Sequence, residues 1–179
     1  MELIDALKLR RSIRKYKDIE IDDATIIRAI NNARFYPSWK NSQTVRFVLV
    51  KDKSLKHEIA ESCLGFLHNT NIIESAPAVI AVLTIKGRSG FERDGSATTT
   101  LGSHFESFDA GLATSNLMYA LLHENIGSCV LGIYDEARVR ALLEVSDEYK
   151  VSCLLSIGYP DEEPLAPKRK EVSELLTIK

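Results

Sequence analysis

The chain has 179 residues, of which 45% are hydrophobic and 27% are charged, and its formal net charge at pH 7 is −2. This composition predicts a single globular domain over residues 1–179 and excludes a disordered chain. The pI near 6.1 makes nucleic acid an unfavoured partner. The longest apolar run, residues 76–85, is too short to span a membrane, and Met1 leads directly into a polar segment. We therefore expect a cytoplasmic protein with no membrane contact.

The first third of the chain predicts two helices, each followed by a polar segment. Apolar residues at helical spacing indicate a helix over 2–9, and the sequence RRSIRKY at 10–16 follows it as a basic connector. Asp22 is a good N-cap for a second helix, which Pro37 ends. This helix leads into a polar loop at 37–43.

The middle of the chain predicts alternating strands and helices. Alternation and β-branched residues indicate a strand at 44–50, a helix follows at 54–66, and a continuous apolar run indicates a buried strand at 78–85. Residues 86–103 are rich in Gly, Ser and Thr and predict a long surface loop.

The remaining segments predict a central helix and two more strands. Residues 104–125 are apolar on nearly every side, which indicates a helix that packs on several sides. Short strands are predicted within 126–132 and at 151–157, with a charged helix at 135–144 between them. The segment 160–179 predicts an extended C-terminal arm. The pattern favours an α+β sandwich with about four strands.

Several common active-site patterns are absent from the sequence. The GxxxxG spacing at 127–132 is followed by Ile133 and Tyr134, where a phosphate-binding loop needs Lys and Ser or Thr. The four histidines lack metal-ligand spacing. The three cysteines form no CxxC pair, and we interpret Cys129 as a packing residue because no histidine or basic neighbour in sequence would lower its pKa.

Three cationic or amide-bearing segments remain as candidates for ligand binding: 10–15, 37–43 and 168–170. A buried phosphate must be met by fixed cations together with hydroxyl or backbone donors. The adjacent Arg10, Arg11 and Ser12 supply both kinds of group. Cations at a helix C-terminus and a polar turn after a helix are the alternative interpretations of the first two segments.

Five ordered segments carry a resemblance to a known family. They are RRSIRKY (10–16), PSWKNSQ (37–43), DAGLATSNLMYAL (109–121), IGSCVLG (126–132) and SIGYP (156–160), the last followed by a basic tail. Together they resemble the FMN-dependent nitroreductase family from end to end. The resemblance implies an α/β/α sandwich with a mixed, mainly antiparallel sheet and a buried central helix. It also implies an intertwined homodimer with FMN at the subunit interface.

The resemblance assigns residues of this chain to the flavin. Arg10 and Ser12 would hold the phosphate region, Arg14 would lie near the pyrimidine edge, and Arg11 would be accessory. A cation at that edge stabilises the negative charge of the reduced flavin. The other implied contacts are Pro37, Ser38, Asn41 and Gln43 from the partner subunit, the backbone of Leu131 and Gly132 at the reactive face, and Lys168 and Arg169 over the phosphate.

The implied activity is hydride transfer from NAD(P)H through flavin N5 to a small oxidised acceptor such as a nitroaromatic or a quinone. The order would be ping-pong, and no residue would serve as a dedicated catalytic acid. Asn69 and Asn71 are weaker candidates for a flavin contact. Two alternatives remain open: an FMN-binding storage or sensor protein without turnover, and a flavin-free protein whose segment 10–17 docks an acidic partner.

Overall fold

The computed structural model describes residues 2–179 and contains one four-stranded sheet. Its strands are β1 (Val45–Val50), β2 (Ala78–Ile85), β3 (Gly127–Leu131) and β4 (Tyr149–Gly158), in the order β1-β2-β4-β3. All three strand pairs are antiparallel. Among the described residues the parallel contribution is an isolated bridge between Ser12 and Ser128. The predicted α+β class and mainly antiparallel sheet are confirmed.

Within residues 2–179 the chain forms seven α-helices and one short 3₁₀ helix, Trp39–Asn41. The α-helices are α1 (Leu3–Leu9), α2 (Asp23–Ala33), α3 (Lys53–Glu61), α4 (Leu67–Ser75), α5 (His104–His123), α6 (Glu136–Leu142) and α7 (Val172–Leu175). The Asp22 side chain caps α2 as predicted, because it accepts a hydrogen bond from the N–H of Ala24. None of the helices within residues 2–179 is long and apolar enough to cross a membrane.

The sheet is covered on both faces. Strand β2 is buried along nearly all its length, and successive side chains point to opposite faces. Ala78 and Ile80 pack in the cluster that contains α2 and α5. Val79, Ala81 and Leu83 pack in the cluster that contains α3, α4 and α6. The predicted three-layer α/β/α sandwich follows from this arrangement.

The helix predicted over 54–66 is wrong in its extent. Helix α3 ends at Glu61, and a second helix, α4, begins at Leu67. Leu64 and Gly65 between them have φ angles of 51° and 75°, and two successive left-handed residues cannot continue a right-handed helix. The apolar positions on either side of this turn gave one continuous helical pattern in the sequence.

Two further differences concern the end of the chain. Strand β4 begins at Tyr149, two residues before the predicted strand, because it pairs with β2 as far as Ile85. The predicted extended arm is interrupted by the short helix α7, which begins with a reciprocal capping interaction between Glu171 and Glu174.

Helix α5 packs against the sheet, α2 and α1, and the rest of its surface is open. Ala113, Leu117 and Leu121 are fully or almost fully buried. On the open side Phe108 is 60% exposed, and Gly111 is also exposed. The helix was predicted to pack on several sides, and within a single chain one of these sides has no cover.

Candidate cofactor site

The basic connector (10–16) runs along the ends of β3 and β4. The N–H of Ile13 donates to the Ser128 carbonyl at 3.0 Å, and the N–H of Lys17 donates to the Tyr159 carbonyl at 2.9 Å. These hydrogen bonds to backbone groups at the ends of the strands resemble those that an added strand would make. Its cationic side chains are therefore presented from a fixed backbone.

The buried Tyr16 side chain holds the connector against β4. Its hydroxyl donates to the Ile13 carbonyl at 2.5 Å and lies 2.8 Å from the Ser156 hydroxyl. The side chain is 8% exposed, and burial raises the pKa of Tyr16 above its ordinary value. A neutral, buried tyrosine thus joins the connector to β4.

Two glycines permit this close approach. A Cβ atom on Gly127 would lie 2.7 Å from Ile13 Cγ1, and one on Gly158 would lie 2.7 Å from Tyr16 Cδ1. Both distances are shorter than packed carbon atoms allow. The glycines of the IGSC and SIGYP segments therefore have a packing role that the sequence analysis did not assign.

The connector and the C-terminal arm together form a cationic groove of about 350 Å³. The connector contributes three cations and one hydroxyl to the lining: Arg10, Arg11, Arg14 and Ser12. The arm contributes one cation and three apolar residues: Arg169, Pro164, Leu165 and Pro167. Lys168 is exposed and is not part of the lining. The structure therefore brings together five of the predicted site residues.

The arginines of the groove differ in how they are bound. The Arg11 guanidinium donates to the Lys8 carbonyl at 2.7 Å, so it caps the end of α1. The N–H of Arg14 donates to Glu162 Oε1 at 2.5 Å, and its guanidinium reaches the Ser12 carbonyl at 3.2 Å. Within residues 2–179 the guanidinium groups of Arg10 and Arg169 have no hydrogen-bond or ion-pair partner. These two are open to bind an anion.

The 37–43 loop lies at the other end of α5. Its Trp39 N–H donates to both carboxylate oxygens of Asp109, at 3.2 and 3.0 Å, near the start of that helix. The connector contacts Ser128, beyond the end of the same helix. Asp109 and His123 lie fourteen positions apart along α5, which corresponds to about 21 Å. Pro37, Ser38, Asn41 and Gln43 therefore do not lie beside the cationic groove of their own chain.

The loop backbone is strained. Lys40, Asn41 and Gln43 have φ angles of 44°, 54° and 47°, in the left-handed region. Such a conformation costs a residue other than glycine about 1 kcal/mol or more. The N–H of Gln43 donates to the Ser38 hydroxyl at 3.0 Å, and Lys40 pairs with Glu92 at 2.9 Å. Contacts of this kind keep the loop in one conformation.

The end of β3 provides an open surface. Leu131 is buried and pairs with Leu154, whereas Val130 is 43% exposed and Gly132 is exposed. A Cβ atom added to Gly132 would meet nothing within 4 Å. The buried Asn69 of α4 donates to the Ile133 carbonyl at 3.2 Å, so it supports this surface from behind. Asn71 is exposed.

The remaining reactive groups fit a packing role. Cys129 is 4% exposed, and burial raises the pKa of its thiol even though Arg14 and Arg10 lie near enough to act in the opposite direction, which fits its predicted role as a packing residue. In the described part of the chain no cluster of His, Cys, Asp and Glu has the arrangement of a metal site. The site therefore consists of cations, amides and open backbone.

Comparisons with known proteins agree with this description. A protein of Archaeoglobus fulgidus, provisionally named NADH dehydrogenase/NAD(P)H nitroreductase, is 30% identical over 90% of this chain and 87% of its own. A nitroreductase family protein of Streptococcus pneumoniae TIGR4 is 25% identical, with a TM-score of 0.87 over 99% of this chain and 100% of the other. An FMN-dependent nitroreductase of Clostridium difficile R20291 is 29% identical, with a TM-score of 0.74 over 93% and 92%.

The profile of the nitroreductase family matches residues 7–159. The matched region includes the connector, the 37–43 loop, helix α5 and all four strands. The chain therefore belongs to the nitroreductase family.

Proposed function

We propose that the protein is an FMN-dependent oxidoreductase that takes hydride from NAD(P)H and passes it to a small oxidised acceptor such as a nitroaromatic or a quinone. The observation that carries this proposal is the cationic groove, in which Arg10 and Arg169 approach from distant parts of the chain with open guanidinium groups. Membership of the nitroreductase family supports it.

The groove suits a phosphate monoester. Guanidinium groups bind phosphate oxygens in pairs, and Ser12 adds a hydroxyl beside them. Arg10, Ser12 and Arg169 would hold the phosphate, Arg11 and Lys168 would add charge nearby, and Arg14 would lie toward the pyrimidine edge. The Glu162 carboxylate holds the Arg14 backbone and so directs this side chain.

The end of β3 suits a flat ring. The exposed Val130 offers apolar surface, and the open space over Gly132 lets the backbone of Leu131 and Gly132 come close to a bound ring. When bound, the flavin would supply hydride acceptance and donation, which no side chain of this site can supply. The chain would contribute binding, orientation and charge, with no dedicated acid.

A homodimer would complete the site. The chain has 10833 Å² of accessible surface, whereas a folded monomer of 20.0 kDa is expected to have about 8,700 Å². Several large apolar side chains are mostly exposed: Leu3, Ile4 and Leu9 on α1, Phe35, Phe108 on α5, and Leu165 and Ile178 on the arm. Burying them against a second copy would bring the partner's 37–43 loop to the flavin.

One experiment tests the proposal and separates it from the alternatives. The purified protein is incubated with FMN, excess flavin is removed by gel filtration, and the visible spectrum is recorded before and after anaerobic NADH or NADPH. About one flavin per chain that bleaches, and that recovers with an added quinone, supports the oxidoreductase. Retained flavin without turnover would favour storage or sensing, and a colourless protein would contradict flavin binding.

A further inference from the structure

The 37–43 loop is bound mainly by residues outside the predicted site. Asp109 on α5 is 1% exposed, and its carboxylate accepts the Trp39 N–H with both oxygens. The indole ring of Trp39 packs on Phe105 with ring centroids 4.2 Å apart. One turn of α5 thus holds the first part of the loop by a charged hydrogen bond and an aromatic contact.

The long loop (86–103) contributes a second hydrogen-bond donor to the Asp109 carboxylate. Ser89 is fully buried, and its hydroxyl donates to Asp109 Oδ2. The same hydroxyl lies 3.2 Å from the Ser42 hydroxyl and 3.4 Å from that of Thr44. Ser89 therefore links the α5 carboxylate to the second half of the 37–43 loop.

An exposed ion pair also joins the long loop to the 37–43 loop. Glu92 of the long loop binds Lys40 Nζ at 2.9 Å and accepts the Thr98 hydroxyl at 2.8 Å. Asn41 and Gln43 follow Lys40 with their backbones in the left-handed region. A strained backbone keeps one conformation only when surrounding contacts determine it, and here those contacts come from α5 and the long loop.

We infer that Asp109 and Ser89 are positioning residues of the flavin site, which hold Asn41 and Gln43 in the conformation that contacts the cofactor of the partner subunit. This inference rests on the proposed function for the identity of the cofactor. It assigns the long loop a role in cofactor binding. Asp109 acts through the Trp39 backbone and not by touching the flavin.

The chain offers a matched control. Glu106, one helical turn before Asp109, is 4% exposed and also binds the long loop, through the Gly87 N–H at 2.6 Å. It pairs with Lys150 at 2.9 Å and has no hydrogen bond with the 37–43 loop. Glu106→Gln therefore tests attachment of the long loop without altering the contact to Trp39.

The test begins without cofactor, because Trp39 is the one tryptophan of the sequence. In Asp109→Ala we expect tryptophan emission of the apoprotein to shift to longer wavelength as the loop enters water. Asp109→Asn keeps an acceptor oxygen for the Trp39 N–H, so its emission should stay close to that of the parent protein. Glu106→Gln should also match the parent.

FMN binding is then measured by quenching of flavin fluorescence, with visible circular dichroism of the bound flavin as a spectroscopic signature. Asp109→Ala should bind FMN about tenfold or more weakly and change the dichroism, and Asp109→Asn should recover most of both. If Asp109→Ala does not fold, Ser89→Ala replaces it, with a smaller shift in the same direction.

Unchanged emission and unchanged FMN affinity in Asp109→Ala would overturn the inference. An equal loss in Glu106→Gln would also overturn it, because the effect would then be a general loosening of the long loop. A parent protein that binds no FMN, with emission shifting as expected, would contradict the proposed function and the cofactor role while keeping the contact between Asp109 and the loop.

Discussion

The two regions of the candidate site are held in place by different means. The connector (10–16) is added to the sheet by backbone hydrogen bonds from Ile13 to Ser128 and from the adjacent Lys17 to Tyr159, and Tyr16 fixes it from within the core. The 37–43 loop pairs with no strand, adopts left-handed conformations, and depends on side chains of α5 and the long loop. The first region is rigid because it is part of the sheet, whereas the second is rigid only while a few polar contacts persist.

The largest expected effect comes from the groove itself. Arg10→Ala combined with Arg169→Ala removes two charged donors from the phosphate, and each such bond contributes about 1.5–3 kcal/mol. We expect FMN to bind about 100-fold or more weakly, measured by quenching of flavin fluorescence. Arg138→Ala is the matched control, because that guanidinium pairs with Glu61 on α3 instead. Similar affinities in both variants would contradict the assignment of the groove.

The second prediction tests whether the two regions act in different subunits. The double arginine variant and an Asn41→Ala, Gln43→Ala variant should each bind FMN poorly as homodimers. After mixing, unfolding and refolding, half the dimers carry both chains, and one of their two sites has an intact connector facing an intact loop. We expect FMN binding to recover at about a quarter of the parent sites. No recovery would mean that both regions serve the same chain's site.

The third prediction concerns the close approach of the connector. Gly127→Ala places a methyl group 2.7 Å from Ile13 Cγ1, which should lower the free energy of unfolding by about 1–3 kcal/mol. Urea unfolding of the apoprotein measures this loss. Gly132→Ala adds a methyl group in open space and should leave the stability of the apoprotein within about 0.5 kcal/mol, while weakening FMN binding. Equal stability of the two variants would contradict the packing role of Gly127.

The smallest expected effect is a change in the pH dependence of stability caused by Tyr16, which supports the connector and not the 37–43 loop. The folded-state pKa of Tyr16 is raised, so the unfolded chain loses this proton first as the pH rises above about 10. The stabilisation is present below that pH and decreases above it. Tyr16→Phe should lose about 1 kcal/mol near pH 7 and show a shallower decrease at alkaline pH. Parallel pH profiles of the two proteins, measured by urea unfolding, would contradict this role. The pKa of the half-buried Tyr134 is also raised by burial, so Tyr134 should be replaced in both proteins.

The sequence predicted the connector region well because local patterns determine it. Helix α1 ends where its apolar spacing ends, and RRS places cations directly beyond it. The sheet was predicted for the same reason, since β2 is a continuous apolar run and β1 alternates. In the C-terminal arm, composition indicated the cations. Which of them lines the groove depends on how the arm folds back on the connector, and here Arg169 lines it whereas Lys168 does not.

The support of the 37–43 loop could not be predicted in the same way. Asp109 is one acidic residue in an apolar helix, and Ser89 is one serine in a polar loop, so neither stands out in sequence. Their roles arise from contacts across 70 residues to Trp39 and 47 residues to Ser42. Helix α4 was missed for a local reason, because the left-handed turn at Leu64 and Gly65 falls within a continuous helical pattern.

The contact between Arg14 and Glu162 has a consequence for the order of folding. These residues are 148 positions apart, and the connector also needs Tyr159 and the buried Tyr16–Ser156 pair. The connector therefore lacks its binding partners until β4 and the residues that follow it have been synthesised. The candidate groove can form only after the arm has been synthesised through Arg169, so chains truncated before Arg169 should lack the proposed FMN binding.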